Sequence, residues 1–223
     1  MRRCHNESHV PNMTNDTDTQ PPKLAAIVYR PYHDVDTLLA TFASDMICEG
    51  YRIGGIVQEN VKGWCNSCQT MRVIDLMTGT AIEISQPLGP GAEGCRLDPA
   101  GLAEAASVVS RAIGANVELV IVNKFGKQEA AGSGLRTEIA EAVVAGVPLL
   151  TAVPERSLDA WLEFTGSLGT TLLCERSCIE GWWRNVALHE KPSRARASAQ
   201  LRRPRIDIRA PGEAVGLRTL PAI

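Results

Sequence analysis

Short apolar runs alternate along this chain with longer stretches in which apolar residues recur every three or four positions. Leu24 to Tyr29 is a continuous apolar run, the signature of a strand buried on both faces. Pro31 stops it, and Asp34 is placed to cap a helix whose apolar positions Val35, Leu38, Leu39, Phe42, Met46 and Ile47 follow the helical period, with Gly50 at its C-terminal end. Tyr51 to Val57 predicts a second strand ending in Gln58-Glu59-Asn60, so the chain opens as a βαβ unit. Residues 71–76 and 80–84 flank Met77-Thr78-Gly79 and predict a β-hairpin added to a parallel sheet.

The same alternation continues to residue 189. Asp98-Pro99 starts a helix running to about Ile113, and Val117 to Val122 is a third core strand. A helix over Ser133–Ala145, a strand over Val147–Val153, a helix over Asp159–Leu168, a short strand over Thr170–Cys174 and a terminal helix over Cys178–His189 complete the pattern. Alternating strands and helices imply an α/β fold, three-layered around a mostly parallel sheet. The pattern fails at both ends. Residues 1–22 are polar without apolar periodicity and are expected to be a disordered tail. Residues 190–223 hold eight basic side chains against three acidic ones and read as a basic, disordered tail. One α/β domain over 23–189 is therefore expected.

Composition changes this picture little. A net charge of −2 and a pI near 6.1 give no global signal for nucleic acid, and the arginine-rich tail has no aromatic residue interleaved for base stacking. No apolar stretch reaches the roughly 20 residues of a spanning helix, and the N-terminus lacks an apolar signal region, so a cytoplasmic protein without membrane insertion is expected. Seven cysteines in such a setting predict reduced thiols. Cys65 and Cys68 have half the spacing of a zinc site or of a redox pair. Cys95, beside Arg96 and ahead of a helix start, is a candidate reactive thiol.

The chemistry concentrates where the third core strand ends. There the apolar run gives way to Asn123-Lys124-Phe125-Gly126-Lys127-Gln128-Glu129 and then to Ala130-Ala131-Gly132-Ser133-Gly134. The carboxyl ends of parallel strands are where α/β proteins bind ligands. Gln86, Arg96, Asn123, Lys124 and Lys127 supply donors, and Gly89, Gly91 and Gly126 let backbone N–H groups approach, which together suit a small anion. Alternatively, Lys124 and Lys127 pair with Glu129 or Asp98 merely to close a loop. Glu129 is the candidate catalytic base if the site is an enzyme's. The loop after the first strand, Tyr29 to Thr37, has neither the glycines nor the lysine of a phosphate-cradling loop, and carries Asp34 and Asp36. Arg30 and His33 remain there to serve an anion at the following helix start, the alternative being an ordinary surface turn.

The Asn123 to Glu129 run resembles the segment after the Walker B strand of the thermophilic-type nucleoside triphosphatases. The second strand ending in Gln58-Glu59, the hairpin with its Thr78-Gly79 turn and the Gly146-Val147-Pro148 entry to the next strand fall in the same order. More specifically, Ile84-Ser85-Gln86-Pro87-Leu88-Gly89, Gly94-Cys95-Arg96-Leu97-Asp98 and Asn123 to Glu129 resemble three motifs of a bacterial domain family of unknown function, often encoded beside molybdate-transport genes. The resemblances imply a P-loop NTPase-like fold with a degenerate phosphate loop, and a nucleotide with magnesium, or molybdate, as ligand. Asn123 stands where an aspartate would help hold magnesium, a departure that sets hydrolysis apart from binding. Three readings follow. One is an accessory protein that binds a nucleotide or oxyanion in molybdenum metabolism or transport. A second is an active phosphohydrolase using Glu129, and a third is a partner-binding module acting through the basic tail.

Overall fold

A computed structural model of the chain describes residues 20–62, 69–86, 97–166 and 168–189. Its centre is a seven-stranded sheet built from β1 (Leu24–Tyr29), β2 (Ile53–Lys62), β3 (Gln69–Asp75), β4 (Ala81–Glu83), β5 (Leu119–Val122), β6 (Leu149–Pro154) and β7 (Gly169–Leu173). Their spatial order is β4-β3-β2-β5-β6-β1-β7. The five strands from β2 to β7 pair in parallel, while β3 and β4 add on antiparallel. The fold is therefore α/β around a mostly parallel sheet, with the expected hairpin at one edge.

Strands buried on both faces need helices on both. On one side α1 (Val35–Cys48) and α6 (Arg176–His189) pack Leu39, Phe42, Met46, Ile179, Trp182 and Trp183 against Ile27, Leu119, Ile121 and Leu150. On the other, α2 (Pro99–Gly114), α4 (Arg136–Val144) and α5 (Leu158–Thr165) cover Ala26, Val120, Val122 and Val153 with Val109, Ile139 and Trp161. Alternate residues of one strand enter opposite cores, as the period of two requires. Asp34 caps α1 by accepting from Thr37 N at 3.1 Å, and Asp98 caps α2 by accepting from Gly101 N at 2.9 Å. No helix among the described residues is long and apolar enough to cross a membrane.

Two differences from the sequence pattern matter for the site. The first helical crossover does not join neighbours, because β5 and β6 lie between β1 and β2. Moreover β2 does not stop at Val57. It pairs with β5 only over Ile53–Ile56, and then Val57 to Lys62 continue against β3 alone. The polar residues there are held by the antiparallel ladder and by cross-strand pairing, Arg72 Nε lying 2.8 Å from Glu59 Oε2. A two-stranded ribbon thus rises past the carboxyl ends of the parallel strands.

Candidate functional site

At those carboxyl ends the last buried residue of β5 hands over to the polar segment through two anchors. Thr151 Oγ1 on β6 donates to the Val122 carbonyl at 2.7 Å, and Phe125 N donates to the Ala152 carbonyl at 3.0 Å. The Phe125 ring is fully buried, edge-on to Trp161 at 5.2 Å and stacked on Phe164 at 5.7 Å. An aromatic placed between two lysines is what pins this loop: the ring takes the core, and the neighbouring cations are left at the surface. The Asn123–Lys124 peptide is cis.

Asn123 is 3% exposed, and its Nδ2 donates to Asp36 Oδ1 at 2.9 Å. Lys124 Nζ reaches the same oxygen at 3.2 Å and lies 5.5 Å from the centre of the Tyr29 ring. Asn60 Nδ2 donates to Asp36 Oδ2 at 2.9 Å, and Gln58 Nε2 donates to Asn60 Oδ1 at 2.8 Å. Asp36, from the first turn of α1, therefore gathers donors from β2 and from the β5 loop. This arrangement fixes the Asn123 amide, since its oxygen would be repelled by the carboxylate, and it leaves Asn123 Oδ1 buried without a partner. It also does not fit a magnesium ion. The carboxylate is already matched by an ammonium and two amides, and the ammonium is close enough to repel a cation.

Glu129 has a different neighbourhood from the one expected. It lies on a four-residue helix, α3 (Lys127–Ala130), where the sequence pattern shows only loop. Its carboxylate is 6% exposed and accepts from Gly126 N at 2.8 Å through Oε2 and from Leu135 N at 2.9 Å through Oε1. It closes the 126–135 loop on itself and holds no lysine. Gly134, at φ +62°, passes so close that a Cβ there would collide with Oε1. Of the loop-closing pairs expected for the lysines, neither forms: Lys124 goes to Asp36, and Asp98 serves α2.

Around these groups lies a cavity of about 380 Å³. It is lined by Asn123, Lys124, Gly126, Lys127 and Glu129 from the predicted set, together with Tyr29, Gln58 and Arg156 and an apolar wall from β2, β3, α2 and Leu135. Lys127 is exposed, and neither it nor Arg156 has a partner among the described residues. The lining carries three cations, Lys124, Lys127 and Arg156, and one carboxylate, Glu129, while Asp36 pairs with Lys124 without lining the cavity. With Lys124 matched by Asp36, Lys127 and Arg156 outnumber the Glu129 carboxylate, whose bonds to backbone N–H groups leave its charge in place, and the balance favours an anion.

Other predicted residues lie elsewhere. Gln86 is outside the cavity lining, and its Nε2 donates to the Leu97 carbonyl at 3.2 Å, beside a bridge between Ser85 and Leu97. Gly89, Gly91, Cys95, Arg96, Cys65 and Cys68 fall outside the described residues, as do residues 1–19 of the expected N-terminal tail and all of 190–223; residues 20–22 of that tail are described, the Pro22 carbonyl accepting from Trp182 Nε1. Arg30 is occupied by Glu155, with Nε 3.0 Å from each carboxylate oxygen, and His33 Nδ1 accepts from Arg30 N at 3.2 Å. The described thiols are Cys48, Cys174 and Cys178, all unpaired, and burial pushes the Cys174 thiol up. Among the described residues no three His, Cys, Asp or Glu side chains converge to hold a metal. Sequence reasoning missed Asp36 as a partner, Arg156, Gln58 and the apolar wall. Arg156 follows a predicted strand's carboxyl end, and that position alone was a usable signal.

The family model described as "Protein of unknown function (DUF2478)" matches residues 24–182. The "Molybdenum import ATP-binding protein ModC 2" of Bradyrhizobium diazoefficiens is 56% identical over 178 residues, which are 79% of this chain and 20% of that protein. The chain thus spans about a fifth of the length of this curated relative. No solved structure matches the chain.

Proposed function

We propose a function from a fixed premise: the chain belongs to the family of unknown function DUF2478. It is, in this reading, a cytoplasmic accessory protein of molybdenum handling that binds a small anion, either a nucleotide or an oxyanion such as molybdate, in the cavity at the strand ends. The observation that carries it is the pair of unmatched cations, Lys127 and Arg156, on the rim of a cavity at the carboxyl ends of parallel strands. The molybdenum context is supported by the identity to the importer's ATP-binding protein. Because the match reaches only a fifth of that protein, its ATP binding is not carried over by the match.

Binding is favoured over turnover. Glu129 is 6% exposed and both its oxygens accept backbone N–H groups, which favour the ionised form and would be weakened if it took up a proton as a general base. The fold is proposed to be P-loop NTPase-like with the phosphate loop lost. In support of the loss, residues 30–37 after β1 hold no glycine and no lysine, Asp34 caps α1, and Arg30 is paired with Glu155. The test is a thermal-shift panel of ATP, GTP, molybdate, tungstate and sulfate, each with and without magnesium. At least one anion should raise Tm, with the rise lost in a Lys127→Ala/Arg156→Ala double variant. A ligand at one hundred times its Kd adds about 2.7 kcal/mol, so a flat response at millimolar concentration would sink the reading. Nucleotide turnover abolished by Glu129→Gln in a protein of unchanged Tm would favour the hydrolase instead.

A further inference from the structure

Resting on that reading of the cavity, we propose that its ligand is an organic anion with an apolar, ring-sized body, and that a bare tetrahedral oxyanion does not fill it. The cavity measures about 380 Å³. That lies near the lower end of the roughly 300–1,000 Å³ typical of small organic ligands.

Its chemistry is divided by position. The wall is made by Ile56 and Val73 of the sheet, Ile84, Leu97 and, from α2, Leu102 and Ala105. None of these side chains can replace the hydration of an ion, so a dianion entering among them would lose its water without compensation. The cations stand on the other side, Lys127 on α3 and Arg156 in the 3-10 turn after β6. Lys124 also lines the cavity, but Asp36 cancels its charge. A bare oxyanion would stop at Lys127 and Arg156 and leave the apolar wall facing water. A ligand carrying both a ring and an anionic group satisfies both sides, with the ring between the β2–β3 ribbon and α2 and the charge at the rim. Met71 of the ribbon offers a polarizable thioether to such a ring.

The experiment is calorimetric titration of the full chain with matched probes. AMP, GMP and naphthyl phosphate carry ring and charge, adenosine and naphthol carry the ring alone, and phosphate and molybdate carry the charge alone. At least one ring phosphate should bind ten times or more tightly than either of its halves. Lys127→Ala should weaken that ring phosphate about tenfold and leave the uncharged ring unaffected. Leu102→Trp, which fills the cavity, should weaken the ring phosphate tenfold or more without affecting any rim binding of phosphate. Met71→Gln, on a partly buried ribbon position, should weaken it several-fold and serves if Leu102→Trp does not fold. Molybdate or phosphate binding as tightly as every ring phosphate would overturn the inference while leaving the anion site standing. Silence from every probe would overturn both.

Discussion

At the scale of single residues, the candidate base turns out to be a fastener. Glu129→Gln keeps one acceptor oxygen but sets an amide NH2 against a backbone N–H, so one buried donor loses its partner. A loss of about 1–3 kcal/mol in unfolding free energy is expected, read by chemical denaturation. Gly134→Ala should destabilise as well, by about 1–2 kcal/mol for the left-handed backbone alone, and more because the new methyl meets Glu129 Oε1. Glu138 behaves differently. Burial, with Glu141 and Glu129 nearby, raises its carboxyl above the ordinary range, and Oε2 has no partner. A raised carboxyl binds its proton more tightly in the folded chain, so stability falls as pH climbs from the unfolded pKa through the folded one. Glu138→Gln should therefore raise Tm at pH 7, with the advantage shrinking as the pH is lowered through the carboxylate range.

At the scale of elements, the strands and most helices could be read from apolar spacing because their burial is two-sided and periodic. Asp34 and Asp98 marked their helix starts correctly, and Met77-Thr78-Gly79 marked its turn. What could not be read depended on pairing between distant segments. Nothing local in Gln58 to Lys62 says strand; those residues are extended because β3 lies beside them. Nothing local in Lys127 to Ala130 says helix, since its carboxylate is held by N–H groups at Gly126 and Leu135. The site was half visible for the same reason: Asn123, Lys124 and Lys127 announced themselves as a polar break after an apolar run, whereas Asp36 was read as a repulsive charge in another loop. In fact α1 carries it to the end of β5. Removing that charge should unmask Lys124. Asp36→Asn is expected to tighten anion binding roughly tenfold, the equivalent of ~1.4 kcal/mol for one charge at close range in a partly screened site, with the gain diminishing at high salt.

At the scale of the whole molecule, the described elements close on themselves. Trp182 Nε1 of α6 donates to the Pro22 carbonyl at 2.8 Å, joining the last helix to the residues ahead of β1. If the strand-end cavity and not the basic tail is the working part, a chain lacking residues 190–223 should keep its ligand-dependent rise in Tm. Failure of the shortened chain to respond would favour the tail as the functional element. The order β2-β5-β6-β1 also sets when the site can assemble during folding. Asp36 meets Asn123 and Lys124 across 87 and 88 positions of chain, and no neighbouring-strand crossover brings them close. They meet only once β1 has docked on β6 and β6 on β5, and such long-range pairings are slow to form because the intervening chain must close first. After dilution from denaturant, helical circular dichroism should return early, while the capacity to bind anion should return with the slowest phase.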